Sequence, residues 1–167
     1  IDLGRWPEEP PESRSQDSEL VIAHATSNRA CKGTDHLISA VNRIKQRGHA
    51  VRLDIIEGVP ASEVIHRYRR CDLGVDELLQ GSYGNVSIEL MAIGKPVIAN
   101  LGRWYQDHRP DLPVVHADPT NIAEKLEALI TDPARRQRLG AAGRQYVERW
   151  HDVNAHVNRL LDIYKNT

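Results

Sequence analysis

Residues 84–98 read GNVSIELMAIGKPVI, which has the pattern of a glycine loop, a short helix and a buried strand in succession. Asn85 is a good N-cap residue, and the free backbone N–H groups of residues 86–88 behind it would point toward an anion. Gly94 then ends the helix, and Pro96 prevents it from continuing before the strand begins. The stretch therefore predicts a helix of about two turns whose start can hold phosphate.

The same stretch also fits an ordinary crossover helix of an α/β domain, in which Glu89 does no more than complement the helix dipole. Such complementation is common and contributes about 0.3–1 kcal/mol. These residues alone do not separate a phosphate site from a plain connection, so the rest of the chain has to decide.

Length and composition fit one domain with a small molecule or a protein as its partner. The 167 residues can bury about 70% of their unfolded surface in one core. Lys plus Arg total 22 and Asp plus Glu total 23, so no basic field favours nucleic acid. Cys31 and Cys71 lie far apart without metal-ligand spacing, which argues against structural zinc. With no apolar run of about 18 residues and no signal-peptide pattern, the sequence predicts a cytoplasmic protein.

Hydrophobic patterning predicts alternating strands and helices behind a polar leader. Residues 1–18 are rich in Pro, Glu and Ser, and we expect an extended or disordered linker there. Residues 19–167 are expected to form a single domain, a doubly wound parallel α/β sheet of the Rossmann type. Five strands are predicted, at residues 20–25, 50–56, 73–76, 97–99 and 114–116.

Ligands of open parallel sheets bind outside the carboxyl ends of the strands. Three loops at that edge carry polar groups or tight turns, at residues 26–32, 57–60 and 78–85. Lys32 could meet a diphosphate at the neighbouring helix start, where charges near 4 Å interact by about 4 kcal/mol before desolvation. A solvated loop is the alternative for Lys32 taken alone, and the convergence of three loops favours a binding site.

Taken together, three segments resemble the carboxyl-terminal, donor-binding domain of GT-B glycosyltransferases, in the retaining group-1 or family-four class. The segments are Arg29-Ala30-Cys31-Lys32-Gly33, Gly58-Val59-Pro60 with Tyr68-Arg69-Arg70-Cys71-Asp72, and Glu89 to Ile98. The resemblance implies one half of a GT-B fold and a nucleoside-diphosphate sugar as the donor of a hexose-type sugar. It also implies retention without a bound metal or cofactor.

The resemblance implies a partner as well as a substrate. Because the chain opens with Ile1 and its only methionine is Met91, we expect it to be part of a longer protein. An amino-terminal acceptor domain would then lie outside this sequence, and this chain alone would be inactive. The acceptor is unknown, and an arginine-rich pair of late helices allows either a membrane-associated acceptor or a solvated face.

The resemblance also implies roles for individual residues. Glu89 would bind the ribose hydroxyls through a charge-assisted bidentate contact, and Val59 would form an apolar wall for the base. The donor diphosphate would be held by two cations and the start of the helix, that is by Arg29, Lys32, Gly84, Asn85, Val86 and Ser87.

Two positions depart from the family pattern. The family has a Glu eight residues before Glu89 that contacts the transferred sugar, and this chain has Gly81 there. Asp76 or Glu77 could replace it, so Asp76, Glu77 and Gly81 are the candidate sugar contacts. The usual Arg five residues before Lys32 is also absent, and Arg29 is expected to compensate. Catalytic residues are left unassigned.

Two alternatives stay open beside the transferase. A non-catalytic nucleotide-sugar-binding or regulatory module is favoured by the missing acid at Gly81, and a GT-B sugar-nucleotide epimerase is the other. His24, at a strand end, could face the donor or serve as a core histidine. Trp104, Tyr105 and His108 either line a cleft or pack locally.

Overall fold

A computed structural model describes residues 1–7 and 19–165, and a parallel five-stranded sheet forms its centre. The sheet order is β2-β1-β3-β4-β5. Because β2 and β3 lie on opposite sides of β1, the order reverses between β1 and β3, where open α/β sheets form a ligand crevice. The predicted doubly wound parallel fold is confirmed. Its strands are β1 (Leu20–Ala25), β2 (Val51–Ile56), β3 (Leu73–Val75), β4 (Val97–Ala99) and β5 (Val114–His116).

Helices cover both faces of this sheet. Of the helices in residues 1–7 and 19–165, none combines the length and the apolar character that crossing a bilayer requires. The helices are α1 (Arg29–Lys32), α2 (Thr34–Gln46), α3 (Ala61–Arg69), α4 (Asn85–Ala92), α5 (Arg103–His108), α6 (Ile122–Ile130), α7 (Pro133–Trp150) and α8 (Val153–Lys165).

The strand β1 is buried on both sides, which explains why five of its six residues are apolar. Val21 and Ala23 face a core layer that includes residues of α3, α4 and α7. Leu20 and Ile22 face the opposite layer, which contains residues of α2 and α6. Successive side chains of a strand point to opposite faces, so one short strand contributes to both cores.

Glycines let α4 lie unusually close to its neighbours. A Cβ on Gly74 of β3 would lie 2.1 Å from a methyl carbon of Leu90 on α4. On the other side of α4, a Cβ on Gly140 of α7 would lie 2.0 Å from the carbonyl oxygen of Gly94. The helix is thus held between β3 and α7, and its start is fixed at the carboxyl edge of the sheet.

Residues 1–7 differ from the extended linker predicted for this part of the chain. They contain a 3₁₀ turn at Leu3–Arg5, and Trp6 is only 9% exposed, with its ring centroid 6.3 Å from that of Tyr68. The carbonyl oxygen of Ile1 accepts a hydrogen bond from the Val153 amide at 2.9 Å. The Pro and Glu content of the segment concealed these apolar side chains, and residues 8–18 of the predicted linker lie outside the described residues.

Candidate functional site

The sheet order places the candidate crevice at the reversal point, between the segments that follow β1 and β3. Asn28 caps α1 by accepting from the Cys31 amide at 3.2 Å, and Lys32 ends this helix. The carbonyl oxygen of Lys32 accepts from the Leu78 amide at 3.1 Å, which joins the two segments. The structure therefore brings together two of the three predicted loops directly, and their side chains define the site.

Asp76 is the central side chain of this site. It follows β3, is fully buried, and its Oδ2 accepts from the Gly84 amide at 2.9 Å, the Ser87 amide at 3.2 Å and the Ser87 hydroxyl at 2.7 Å. Its other oxygen pairs with the Lys32 ammonium. These donors surround a carboxylate with no exposed surface, so Asp76 is not open to a sugar as the sequence suggested.

This arrangement also corrects the predicted start of α4. The helix begins at Asn85 with Gly84 as its N-cap, so Asn85 is the first helical residue and not the cap. Asp76 supplies the cap instead, and a carboxylate suits the positive end of the helix dipole. The Ile88 amide bonds to the Gly84 carbonyl at 3.2 Å. Within the described residues, only Asn85 and Val86 of the helix start keep unpaired amides.

Lys32 lies between two acidic side chains. Its side chain is 17% exposed, and its Nζ lies 3.7 Å from Oε2 of Glu77 in addition to the Asp76 pair. Glu77 is itself buried and accepts from the Ser82 hydroxyl at 2.8 Å. The ammonium is therefore shared between carboxylates before any ligand arrives, whereas the sequence suggested a free cation.

Arg29 binds Glu57, which follows β2. Its Nε donates to Oε2 of Glu57 at 3.0 Å, and a second nitrogen contacts Oε1. The hydrogen bond from Arg29 lowers the pKa of the Glu57 carboxyl. The pair is exposed, so it contributes little to stability, but it neutralises the second cation expected to bind diphosphate. It also links the loop of Val59, which packs half-buried against the core, to the loop after β1.

Glu89 lies on the second turn of α4 with its hydrogen-bonding capacity unused. It is half-buried, and in the described part of the chain its carboxylate has no partner. Burial raises the pKa of Glu89, and the negative charge of Asp76 raises it further. A ligand with hydroxyl donors could bind this carboxylate without displacing a protein group.

Tyr68 is a second unsatisfied group near Glu89, and it was quoted in the sequence only as part of a family segment. Its side chain is fully buried, and its hydroxyl has no partner within the described residues. Burial raises the pKa of Tyr68, and the charge of Glu89 contributes next. The segment from Tyr68 to Asp72 thus carried the family resemblance. Nothing in the sequence indicated that the Tyr68 hydroxyl would be buried without a partner in the described part of the chain.

Gly81 brings no acid to the site and holds a backbone turn instead. Its φ is +77°, in the region that favours glycine, and its carbonyl oxygen accepts from the Gly102 amide at 2.6 Å. The loop between β3 and α4 is therefore tied to the loop after β4. Of the three candidate sugar contacts, Gly81 lacks a side chain, Asp76 is enclosed, and Glu77 is largely buried.

His24 is a core residue and does not face the crevice. Its Nδ1 donates to the Val75 carbonyl at 2.9 Å, and its Nε2 lies 2.9 Å from the Thr34 hydroxyl. Burial lowers the pKa of His24, so the ring is held neutral with Nε2 as the acceptor. Among residues 1–7 and 19–165, no three His, Cys, Asp or Glu side chains come together as they would around a metal ion.

Comparison with known proteins gives a consistent family and fold. A family model described as glycosyl transferase-like matches residues 20–162. The D-inositol 3-phosphate glycosyltransferase of Thermobifida fusca is 34% identical over 113 residues, which are 64% of this chain and 25% of that protein. The chain thus spans about a quarter of that relative's length, and it matches the carboxyl-terminal part.

Solved structures of low sequence identity share the fold. The carboxyl-terminal domain of a glycosyl transferase group 1 family protein from Francisella tularensis superposes with a TM-score of 0.71 at 21% identity. That alignment covers 92% of this chain and 99% of that domain. Anabaena HepE, solved in complex with UDP-glucose, gives a TM-score of 0.69 at 14% identity, covering 100% of this chain and 56% of that one.

Proposed function

Because this chain belongs to the glycosyl transferase-like family of group-1 glycosyltransferases, we propose that it binds the nucleoside-diphosphate sugar from which a hexose-type sugar is transferred. The observation that carries the proposal is the crevice between β1 and β3. There Lys32 lies beside the start of α4. Among the residues that the structure describes, the amides of Asn85 and Val86 and the carboxylate of Glu89 on the next turn have no partner. Such a combination suits a ligand that is anionic at one end and rich in hydroxyls at the other.

The diphosphate would bind at the start of α4. The amides of Asn85 and Val86 are available to it, whereas those of Gly84 and Ser87 are bound to Asp76. Lys32 would approach from the opposite loop and share its charge between the phosphate and Asp76. Arg29 takes no part in this proposal because Glu57 occupies its guanidinium.

The nucleoside would bind further along α4. Two vicinal ribose hydroxyls can donate to the two oxygens of Glu89, and the unpartnered hydroxyl of Tyr68 lies within electrostatic range of the same carboxylate. The half-buried Val59 would contact the base. One structural neighbour was solved with UDP-glucose, so a uridine nucleotide is the first ligand to try.

A non-catalytic nucleotide-sugar-binding module is the second candidate function, and Gly81 is the observation that favours it. No free carboxylate stands at this position, and Glu77 is largely buried and engaged with Ser82. A longer protein that includes the amino-terminal part would separate the two candidates. Sugar transfer or donor hydrolysis supports the transferase, and nucleotide binding without either supports the module.

The donor proposal predicts different losses for two substitutions. Glu89→Gln should weaken binding of both UDP and uridine by roughly 10-fold to 100-fold, because a charge-assisted hydrogen bond contributes about 1.5–3 kcal/mol. Lys32→Gln should weaken the binding of UDP but leave the binding of uridine unchanged. Calorimetry with UDP, GDP, ADP and the parent nucleosides measures both effects.

Unfolding curves recorded on the same samples serve as the control that each variant is folded. A nucleotide at about 100 times its dissociation constant should add about 2.7 kcal/mol to the unfolding free energy of the wild type. The proposal fails if none of the three nucleoside diphosphates protects the domain, or if both variants bind UDP as the wild type does.

Glu89→Gln should also stabilise the empty domain at neutral pH. Because the folded-state pKa of Glu89 is raised, its favourable contribution is complete below the unfolded pKa of about 4.3 and is lost as the pH rises through the folded value. Glutamine removes that loss. The gain in unfolding free energy over the wild type should therefore grow as the pH rises above about 4.3 and should level off above the folded-state pKa of Glu89. Glu124→Gln, at a Glu side chain of α6 that is 73% exposed, is the matched control for the substitution itself.

A further inference from the structure

The helix α5 presents an aromatic surface that the donor site does not use. Trp104 is 59% exposed, and its ring stacks on His108 with centroids 5.1 Å apart and planes inclined by 12°. Tyr105 meets the Trp104 ring edge-on at 5.1 Å. We call Trp104, Tyr105 and His108 the aromatic platform. Contiguous exposed apolar surface, unlike a single exposed apolar residue, can mark an interaction site.

The platform is fixed beside the crevice by its contacts with the glycine loop. Tyr105 packs edge-on against Tyr83 at 5.4 Å, and the Tyr83 hydroxyl lies 3.1 Å from Nε2 of His151. The backbone bond from Gly102 to Gly81 joins the start of α5 to the same loop. Because Gly81 precedes the start of α4 by only a few residues, the platform adjoins the end of the crevice where we place the diphosphate.

We propose that the aromatic platform binds the pyranose or cyclitol ring of a carbohydrate acceptor. Such a ring has a face of C–H bonds that packs on an aromatic face, while its hydroxyl groups point outward. Polar side chains flank the platform on α5 to meet those hydroxyls: Arg103 is 94% exposed and Asp107 56% exposed. This inference rests on the proposed function, since it takes the neighbouring crevice as the donor site.

The composition of α5 argues for a sugar over a purely apolar partner. Three exposed polar residues lie beside the rings on α5, namely Arg103, Gln106 and Asp107. A bilayer or an apolar protein surface would have to bury the charges of Arg103 and Asp107 to reach Trp104. A single ring with a C–H face and hydroxyl edges requires no such burial. The surface thus fits an occupant that is apolar on one face and polar at its rim.

Intrinsic tryptophan fluorescence and ligand-observed NMR test the platform on the chain as it stands. Methyl α-glucoside, methyl α-mannoside and myo-inositol serve as probes, each titrated with and without UDP. We expect saturable binding of at least one probe, weakened by about tenfold in Trp104→Ala and partly restored in Trp104→Phe. The control is Tyr164→Ala, which removes an exposed aromatic side chain on α8. This variant should bind the probes and UDP as the wild type does.

The outcomes distinguish this inference from the donor proposal. The platform is rejected if no probe binds the wild type, or if Trp104→Ala binds the probes unchanged. It is also rejected as a separate subsite if Trp104→Ala loses the binding of UDP together with the binding of the probes. If the probes bind through Trp104 while no nucleotide binds anywhere, the platform stands and the donor proposal falls.

Discussion

Replacing Asp76 with alanine is expected to lower the unfolding free energy by about 3–5 kcal/mol, because it removes one partner of a buried ion pair. The change leaves the Gly84 amide, the Ser87 amide and the Ser87 hydroxyl without their acceptor. Lys32 keeps its longer contact with Glu77, at 3.7 Å. Urea unfolding followed by circular dichroism measures the loss.

Two further variants test the cause of that loss. Asp76→Asn keeps an acceptor for the amides but removes the charge, so its cost should fall between those of alanine and the wild type. Asp107→Ala breaks an exposed pair with Arg103 at 3.4 Å and should cost less than about 1 kcal/mol. If Asp76→Ala costs no more than Asp107→Ala, the carboxylate does not hold the start of α4.

Gly140→Ala is expected to lower the unfolding free energy by about 1–3 kcal/mol. The loss is expected even though alanine is the better helix former by about 1 kcal/mol. The new methyl group would lie 2.0 Å from the Gly94 carbonyl oxygen, which is backbone and cannot rotate away. α7 would have to move off α4 to make room for the methyl group. Thermal and urea unfolding would both detect the effect.

The same helix offers a matched control, a position where alanine and not glycine is expected to give the more stable domain. Ala141 is exposed on α7, so Ala141→Gly should cost about 1 kcal/mol through helix propensity alone. Alanine would then be favoured at residue 141 and glycine at residue 140, one position apart. A neutral or stabilising Gly140→Ala would show that the two helices are not packed as closely as the structure places them.

The fold could be predicted because its signals are local. The apolar run of β1 is a pattern of adjacent residues, and so is the pair Gly94 and Pro96 that ends α4. All five predicted strands are present. The packing of residues 1–7 was missed for the opposite reason. Trp6 finds its partner at Tyr68, and no pattern within the first seven residues indicates that contact.

The site could be predicted in outline but not in its connections. The segment with Lys32 and the segment before α4 do adjoin, since β1 and β3 are neighbouring strands, while the roles of Lys32 and Glu89 stay predictions. The cap on that helix comes from Asp76, eleven residues before Ser87 and forty-four after Lys32. A local motif search favours Asn85 because it adjoins the helix. The partner of Arg29 was missed in the same way, because Glu57 lies in the loop after another strand, β2.

The carboxylate of Asp76 has a kinetic consequence if a diphosphate binds as proposed. An incoming phosphate would share Lys32 with a group that is already in place, so its net gain is the difference between two anions competing for one cation. When the nucleoside diphosphate departs, Asp76 remains to receive the ammonium, and no unpaired charge is left behind. Such a site would trade tight binding for rapid turnover of bound nucleotide, with the internal carboxylate keeping the empty crevice ordered between successive ligands.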